Sequence, residues 1–164
     1  MKGFSLVELL ISTLIMSVMV LGIYGVLNIG DKTYNHDMAL LDLQQQVRQA
    51  MDGMVKELKQ SKTSVITISG GGARIDFKVP TDITTSPVTY TNDFIAYYLS
   101  GNQVLREYPV GTTTVLANDI SALLFSLSSE VLTVQLSAQK TIRDRVMAFP
   151  LTGLLTQKVR LRNE

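Results

Sequence analysis

Between Phe4 and Leu27 the chain carries one charged side chain, Glu8. A helix of that length rises about 36 Å, against a bilayer hydrocarbon core of roughly 30 Å. No other part of the sequence limits the fold so strongly. Hydrophobic residues make up 46% of the chain, and their excess sits in these first residues. The remainder of the chain has an ordinary soluble composition. Lys2 precedes the run, so the positive-inside tendency keeps the N-terminus cytoplasmic and exports the remainder. A cleavable secretory signal fits badly. Its apolar core spans roughly 7–15 residues and ends at a small-residue cleavage site. Here a longer run leads into Ile23-Tyr24-Gly25-Val26-Leu27-Asn28. On hydropathy alone a plain signal anchor would account for the segment.

Glu8 argues for more than an anchor. A carboxylate inside an apolar span costs about 2.5–3.5 kcal/mol at the helix centre and less near its end. Such a group is by default functional and needs a partner. A lone anchor has no use for it, whereas a helix that must find a positive group on a neighbour does.

The segment Gly3-Phe4-Ser5-Leu6-Val7-Glu8-Leu9-Leu10 resembles the N-terminal motif of type IV prepilins and type II secretion pseudopilins. The resemblance implies that a prepilin peptidase cuts between Gly3 and Phe4 and that the new terminus at Phe4 is N-methylated. It also implies that Glu8 pairs with the Phe4 ammonium of an adjacent subunit during assembly. Two charges in so apolar a setting are tolerable when paired, and cleavage creates the positive partner. The expected location is the inner (cytoplasmic) membrane, crossed once. The C-terminal domain would lie outside the cytoplasm, in the periplasm or at the cell surface, and the subunit would enter a pilus or pseudopilus.

Past the span, Asn28-Ile29-Gly30-Asp31-Lys32 is a polar break suited to a membrane surface. Apolar residues then recur at Leu40, Leu43, Val47, Met51, Met54 and Leu58, a single stripe at helical spacing. Leu41, Ala50 and Val55 widen it, and no proline occurs before Pro80. A continuous helix from Phe4 to about Gln60 would run on the order of 85 Å. The methionines of the stripe read as core facing a sheet, and His36 as a solvated surface residue. Gly22, Gly25 and Gly30 cluster near the end of the span, each weakening a helix by roughly 1 kcal/mol. They admit two readings: close packing of helices in the membrane, or a segment that unwinds when a filament assembles. Gly53 is a further weak point.

From Val65 the pattern changes to period two. Val65–Ile68 and Ala73–Val79 flank Gly70-Gly71-Gly72 and predict a hairpin. The glycines lack the lysine that would follow in a phosphate loop. Thr81–Asp93 reads as a loop or irregular edge. Phe94–Leu99 with Gln103–Tyr108, and Ile120–Leu127 with Val131–Leu136, predict two more hairpins. Thr156–Arg162 predicts a closing strand with a basic outer face. One long helix followed by these strands is an α+β fold, with an antiparallel β-sheet on the apolar stripe, and the N-terminal resemblance implies that this fold is pilin-like. The expected division is 1–3 leader, 4–27 transmembrane half of the helix, 28–62 amphipathic half, and 63–164 β-rich globular domain.

The stretches at 98–107, 120–136 and 159–163 resemble J-type minor pseudopilins and W-type minor pilins. That resemblance implies a scarce subunit that helps to initiate or cap filament assembly together with other minor and major pilins or pseudopilins. Major pilins often carry a C-terminal cysteine loop, and this chain has no cysteine. The alternative is a tip module for surface adhesion or DNA uptake. Nucleic acid is not expected as a partner, because the net charge is +1 and such surfaces need a basic excess. The cluster of Arg143, Arg145, Lys158, Arg160 and Arg162 is diluted by Asp144 and Glu164 and reads as a charged solvated face. No catalytic arrangement is legible: a single histidine offers no Ser-His-Asp set, and H-E-x-x-H is absent. No cofactor, small-molecule substrate or metal is expected. Asn92, Asp93, Asn118 and Asp119 carry oxygens of the kind calcium uses in some pseudopilins, but they read as turn residues.

Overall fold

The computed structural model describes residues 5–82, 84, 87–142, 145–150 and 153–161. The chain divides into two compact units, Met1–Ala39 and Leu40–Glu164. Helix α1, Leu6–Leu58, supplies all the described secondary structure of the first unit and the opening element of the second.

Within the first unit, the apolar side chains from Leu6 to Ile29 are exposed. This helix is long and apolar enough to cross a membrane, and none of its most apolar stretch is buried. Three of its hydroxyls are satisfied locally. Ser12, Thr13 and Ser17 donate to the carbonyls of Leu9, Leu10 and Leu14 at 2.8–2.9 Å. A polar group in lipid has no water to turn to, so a bond to its own helix lowers its cost.

The second unit takes up α1 from Leu40. Leu43, Val47, Ala50, Met51, Met54, Val55 and Leu58 are buried, which is the stripe the spacing predicts. Leu41 departs from it and is 58% exposed. At about 100° per residue it lies some 200° from Leu43, on the opposite face. The helix tightens after Leu58, with Gln60 N–H donating to the Glu57 carbonyl and Ser61 N–H to that of Leu58. A 3-10 turn at Thr63–Val65 comes next.

The strands form two main antiparallel sheets and a small ribbon, where the sequence pattern suggested one sheet. The first has five strands in the order β1 (Thr67–Ser69), β2 (Arg74–Phe77), β5 (Ile95–Ser100), β6 (Gln103–Glu107) and β7 (Thr113–Ala117). The second is built on β9 (Val131–Ile142). One flank of β9 takes β8 (Ile120–Ser128), and the other takes β10 (Arg145–Phe149) and then β11 (Leu155–Arg160). Segment Thr81–Asp93, read as a loop or irregular edge, contributes to the ribbon of β3 (Pro80–Asp82) and β4 (Thr89–Tyr90), whose register is irregular. The three predicted hairpins are present as β1–β2, β5–β6 and β8–β9. Strands β7 and β10 are additions to the expected set.

Alternate residues of both sheets fill the core: Ile75, Phe77, Ile95, Tyr97 and Val104 from the first, and Phe125, Leu132, Val134, Leu136 and Val159 from the second. The rings of Phe77 and Tyr97 stack with centroids 5.4 Å apart. The triple glycine is a tight turn against β8. Gly72 has φ +98°, and a Cβ there would stand 2.7 Å from Leu124 Cδ1 and 2.9 Å from the Phe125 carbonyl oxygen. Glycine alone combines that backbone angle with that approach.

Candidate functional site

The expected cleavage residues Gly3 and Phe4 lie outside the described residues. Glu8 sits in the first turn of α1 and is exposed. A negative charge there agrees with the positive end of the helix dipole. Among the described residues no side chain pairs with it. The carboxylate is therefore presented outward from an exposed apolar helix. Gly22, Gly25 and Gly30 are all within regular helix, and a Cβ at any of them would meet nothing within 4 Å. Among the described residues, nothing inside the chain requires glycine at these positions.

In the second unit two polar networks tie elements together, and neither is marked by a sequence motif. The first joins the end of α1 to the first sheet. Arg106 Nε on β6 donates to both Glu57 carboxylate oxygens at 3.2 and 3.1 Å, and the Tyr97 hydroxyl on β5 donates to Oε2 at 2.7 Å. Burial, reinforced by the neighbouring Glu57 carboxylate, pushes the Tyr97 hydroxyl well above the usual phenol range. Burial works against the Arg106 charge, but the bond and charge of Glu57 outweigh it and raise its pKa. The glutamate is legible in the sequence only as one more polar residue off the stripe. Its partners lie 40 and 49 positions away.

The second network lies on strands β2 and β6. Arg74 binds Asp76 through Nε and Nη2, the latter at 2.8 Å, and reaches Glu107 at 3.3 Å. Its guanidinium also stands 4.9 Å over the Tyr98 ring. Asp76, by hydrogen bond and charge, raises the Arg74 pKa. The Gly111 N–H donates to Glu107 at 2.9 Å, and this bond, helped by Arg74, holds the Glu107 carboxyl below the usual carboxylate range. These groups are engaged with one another, and Arg74, Asp76 and Glu107 line a surface pocket with Thr67, Phe94, Ala96 and Val110.

Other singled-out residues fall in plain settings. His36 is partly exposed, its Nδ1 3.6 Å from Asp37. Asp119 occupies the turn between β7 and β8, held 3.2 Å from Lys140, and the Asn92 carbonyl accepts Lys78 Nζ. In the basic cluster, Lys158 and Arg160 are exposed on β11, with Arg160 3.6 Å from Glu130. Arg143, Asp144, Arg162 and Glu164 lie outside the described residues, as does the side chain of Arg145.

Residues 1–24 match the family model described as the prokaryotic N-terminal methylation motif. No curated protein and no solved structure matches the chain.

Proposed function

We propose that this chain, a type IV pilin-like protein by its N-terminal methylation motif, is a minor pilin or pseudopilin that helps to initiate or cap a type IV pilus or type II secretion pseudopilus. Its role is structural. A prepilin peptidase cuts between Gly3 and Phe4, and the exposed amine of Phe4 is methylated. The subunit waits in the inner membrane with residues 63–164 outside the cytoplasm. It joins other minor and major subunits through α1.

The observation that carries this reading is the setting of Glu8: an exposed carboxylate in the first turn of an exposed apolar helix. Left alone in lipid it is costly, and an ammonium on a neighbouring helix removes that cost. Pairing draws subunits together and sets the axial stagger between their helices. The cluster Gly22, Gly25 and Gly30 marks where α1 would loosen as the helices pack, since regular helix is weakest at glycine. A scarce subunit is favoured over a major one by the resemblance of the C-terminal strands and by the lack of cysteine.

The test is Glu8→Ala in cells that assemble the filament. Processing at Gly3 should continue, because the peptidase acts before assembly. The variant should stay in the membrane fraction and be missing from sheared filaments. Normal entry of Glu8→Ala into filaments would overturn the pairing role.

A further inference from the structure

Across the first sheet, Thr67 stands opposite Asp76, Asp76 opposite Ala96, and Ala96 opposite Glu107. Directly opposed residues share a face. Their neighbours Ile75, Ile95 and Tyr97 are buried in the core, so by alternation this row is turned away from it. Ala96 places a single methyl group between two carboxylates, and the space left there is a cavity of about 330 Å³. Phe94 and Val110 line it too and are 43% and 72% exposed. Val110 is held at the rim by a turn that Glu107 pins. The Gly111 N–H donates to Glu107 Oε1 and the Thr112 N–H to the Pro109 carbonyl, both at 2.9 Å.

The lining sets two carboxylates against one guanidinium, leaving one net negative charge. Arg74 is fully engaged: its Nε and Nη2 bond Asp76, its Nη2 reaches Glu107, and its face lies on the Tyr98 ring. Lys78 donates to the Asn92 carbonyl from over the Phe94 ring. Glu107 keeps room. Each of its oxygens accepts one N–H, from Gly111 and from Arg74, whereas a carboxylate offers about four acceptor positions. An anion would meet two carboxylates here. A purely apolar ligand would strip water from Glu107 and replace none of its bonds. A long apolar stem ending in a cation suits both the rim and the floor.

We propose that this pocket receives a lysine or arginine side chain of a partner protein, its cationic head against Glu107 and Asp76 and its stem on Phe94 and Val110. All the lining residues belong to the second unit, so the site is independent of whether the chain enters a filament.

The probes are capped tripeptides with lysine or arginine between two alanines, titrated into the isotope-labelled full chain in an uncharged detergent. The readout is the amide resonances of Val110 and Gly111, which should shift saturably. The citrulline tripeptide, isosteric with arginine but uncharged, should leave them unmoved. Glu107→Gln keeps an acceptor for Gly111 and removes the charge, and it should weaken binding about tenfold, the worth of one charge-assisted hydrogen bond. Val110→Ser, at an exposed position, should weaken it severalfold, with the β9 resonances of both variants unchanged as the check on the fold. Any of five results would overturn the proposal: no shift with either basic peptide, an equal shift with citrulline, tighter binding of the glutamate tripeptide, unaltered affinity in Glu107→Gln, or shifts that grow with protein concentration in the absence of peptide. The last would give the pocket to a second copy of this chain.

Discussion

Replacing Glu57 by alanine removes the acceptor for both Arg106 Nε and the Tyr97 hydroxyl. Breaking a fully buried pair costs about 3–5 kcal/mol, and an exposed pair is worth about 0–1 kcal/mol. Here the Glu57 and Arg106 side chains are 31% and 24% exposed, while Tyr97 as a residue is 1% exposed. The cost should therefore fall between the two limits, about 2 kcal/mol. With a urea slope of about 1–3 kcal/mol per molar, the unfolding midpoint should drop by about 1 M. The assay is urea unfolding of the detergent-solubilised full chain, followed by tyrosine fluorescence. Asp52→Ala, on the exposed face of the same helix, is the control and should stay within about 0.5 kcal/mol of the parent. Glu57→Gln keeps an acceptor for Tyr97 but loses the charge, so it should fall near half the alanine effect. If Glu57→Ala unfolds with the Asp52→Ala control, the clamp does not hold the helix to the sheet and the reasoning fails.

The remaining expectations concern pH and two glycines. The Tyr97 pKa is raised above its ordinary 10.0, so this group's contribution is complete below pH 10 and is lost as pH rises. Stability should fall there by up to about 1.4 kcal/mol per pH unit, and Tyr97→Phe should remove that slope in alkaline denaturation. Glu107 is held below its ordinary 4.5, so its contribution is present above pH 4.5 and is lost as pH falls. Glu107→Gln should flatten the acid limb of the stability profile relative to the parent. Gly72→Ala forces a Cβ against Leu124 and the Phe125 carbonyl at positive φ. It should destabilise by about 2 kcal/mol or more, whereas Gly53→Ala, in open space on the helix, should be neutral or stabilising.

The features legible in the sequence are those written as local periodicity. The apolar run, the stripe from Leu43 to Leu58 and the three hairpins are of this kind, each marked by spacing or by a turn between two alternating segments. Leu41 misleads because an adjacent apolar residue looks like a wider stripe, although helical rotation sends it to the far face. Strand β7 comes after Pro109 and Gly111, and β10 is a short run after Arg143-Asp144. Their pairing with β6 and β9 decides their conformation, and that pairing is not local information. The same holds for Glu57, whose partners come from strands distant in the chain. Glu8 is legible for the opposite reason, since a charge in an apolar run stands out without any knowledge of the fold.

Processing of this chain into a filament subunit is the central claim, and N-terminal mass tests it most directly. The protein should be isolated from membranes of cells with and without prepilin peptidase. The expected result is a chain starting at N-methylated Phe4 when the peptidase is present and at Met1 when it is absent. A chain starting at Met1 in both would contradict the claim, leaving a membrane-anchored domain in which Glu8 has no assigned partner.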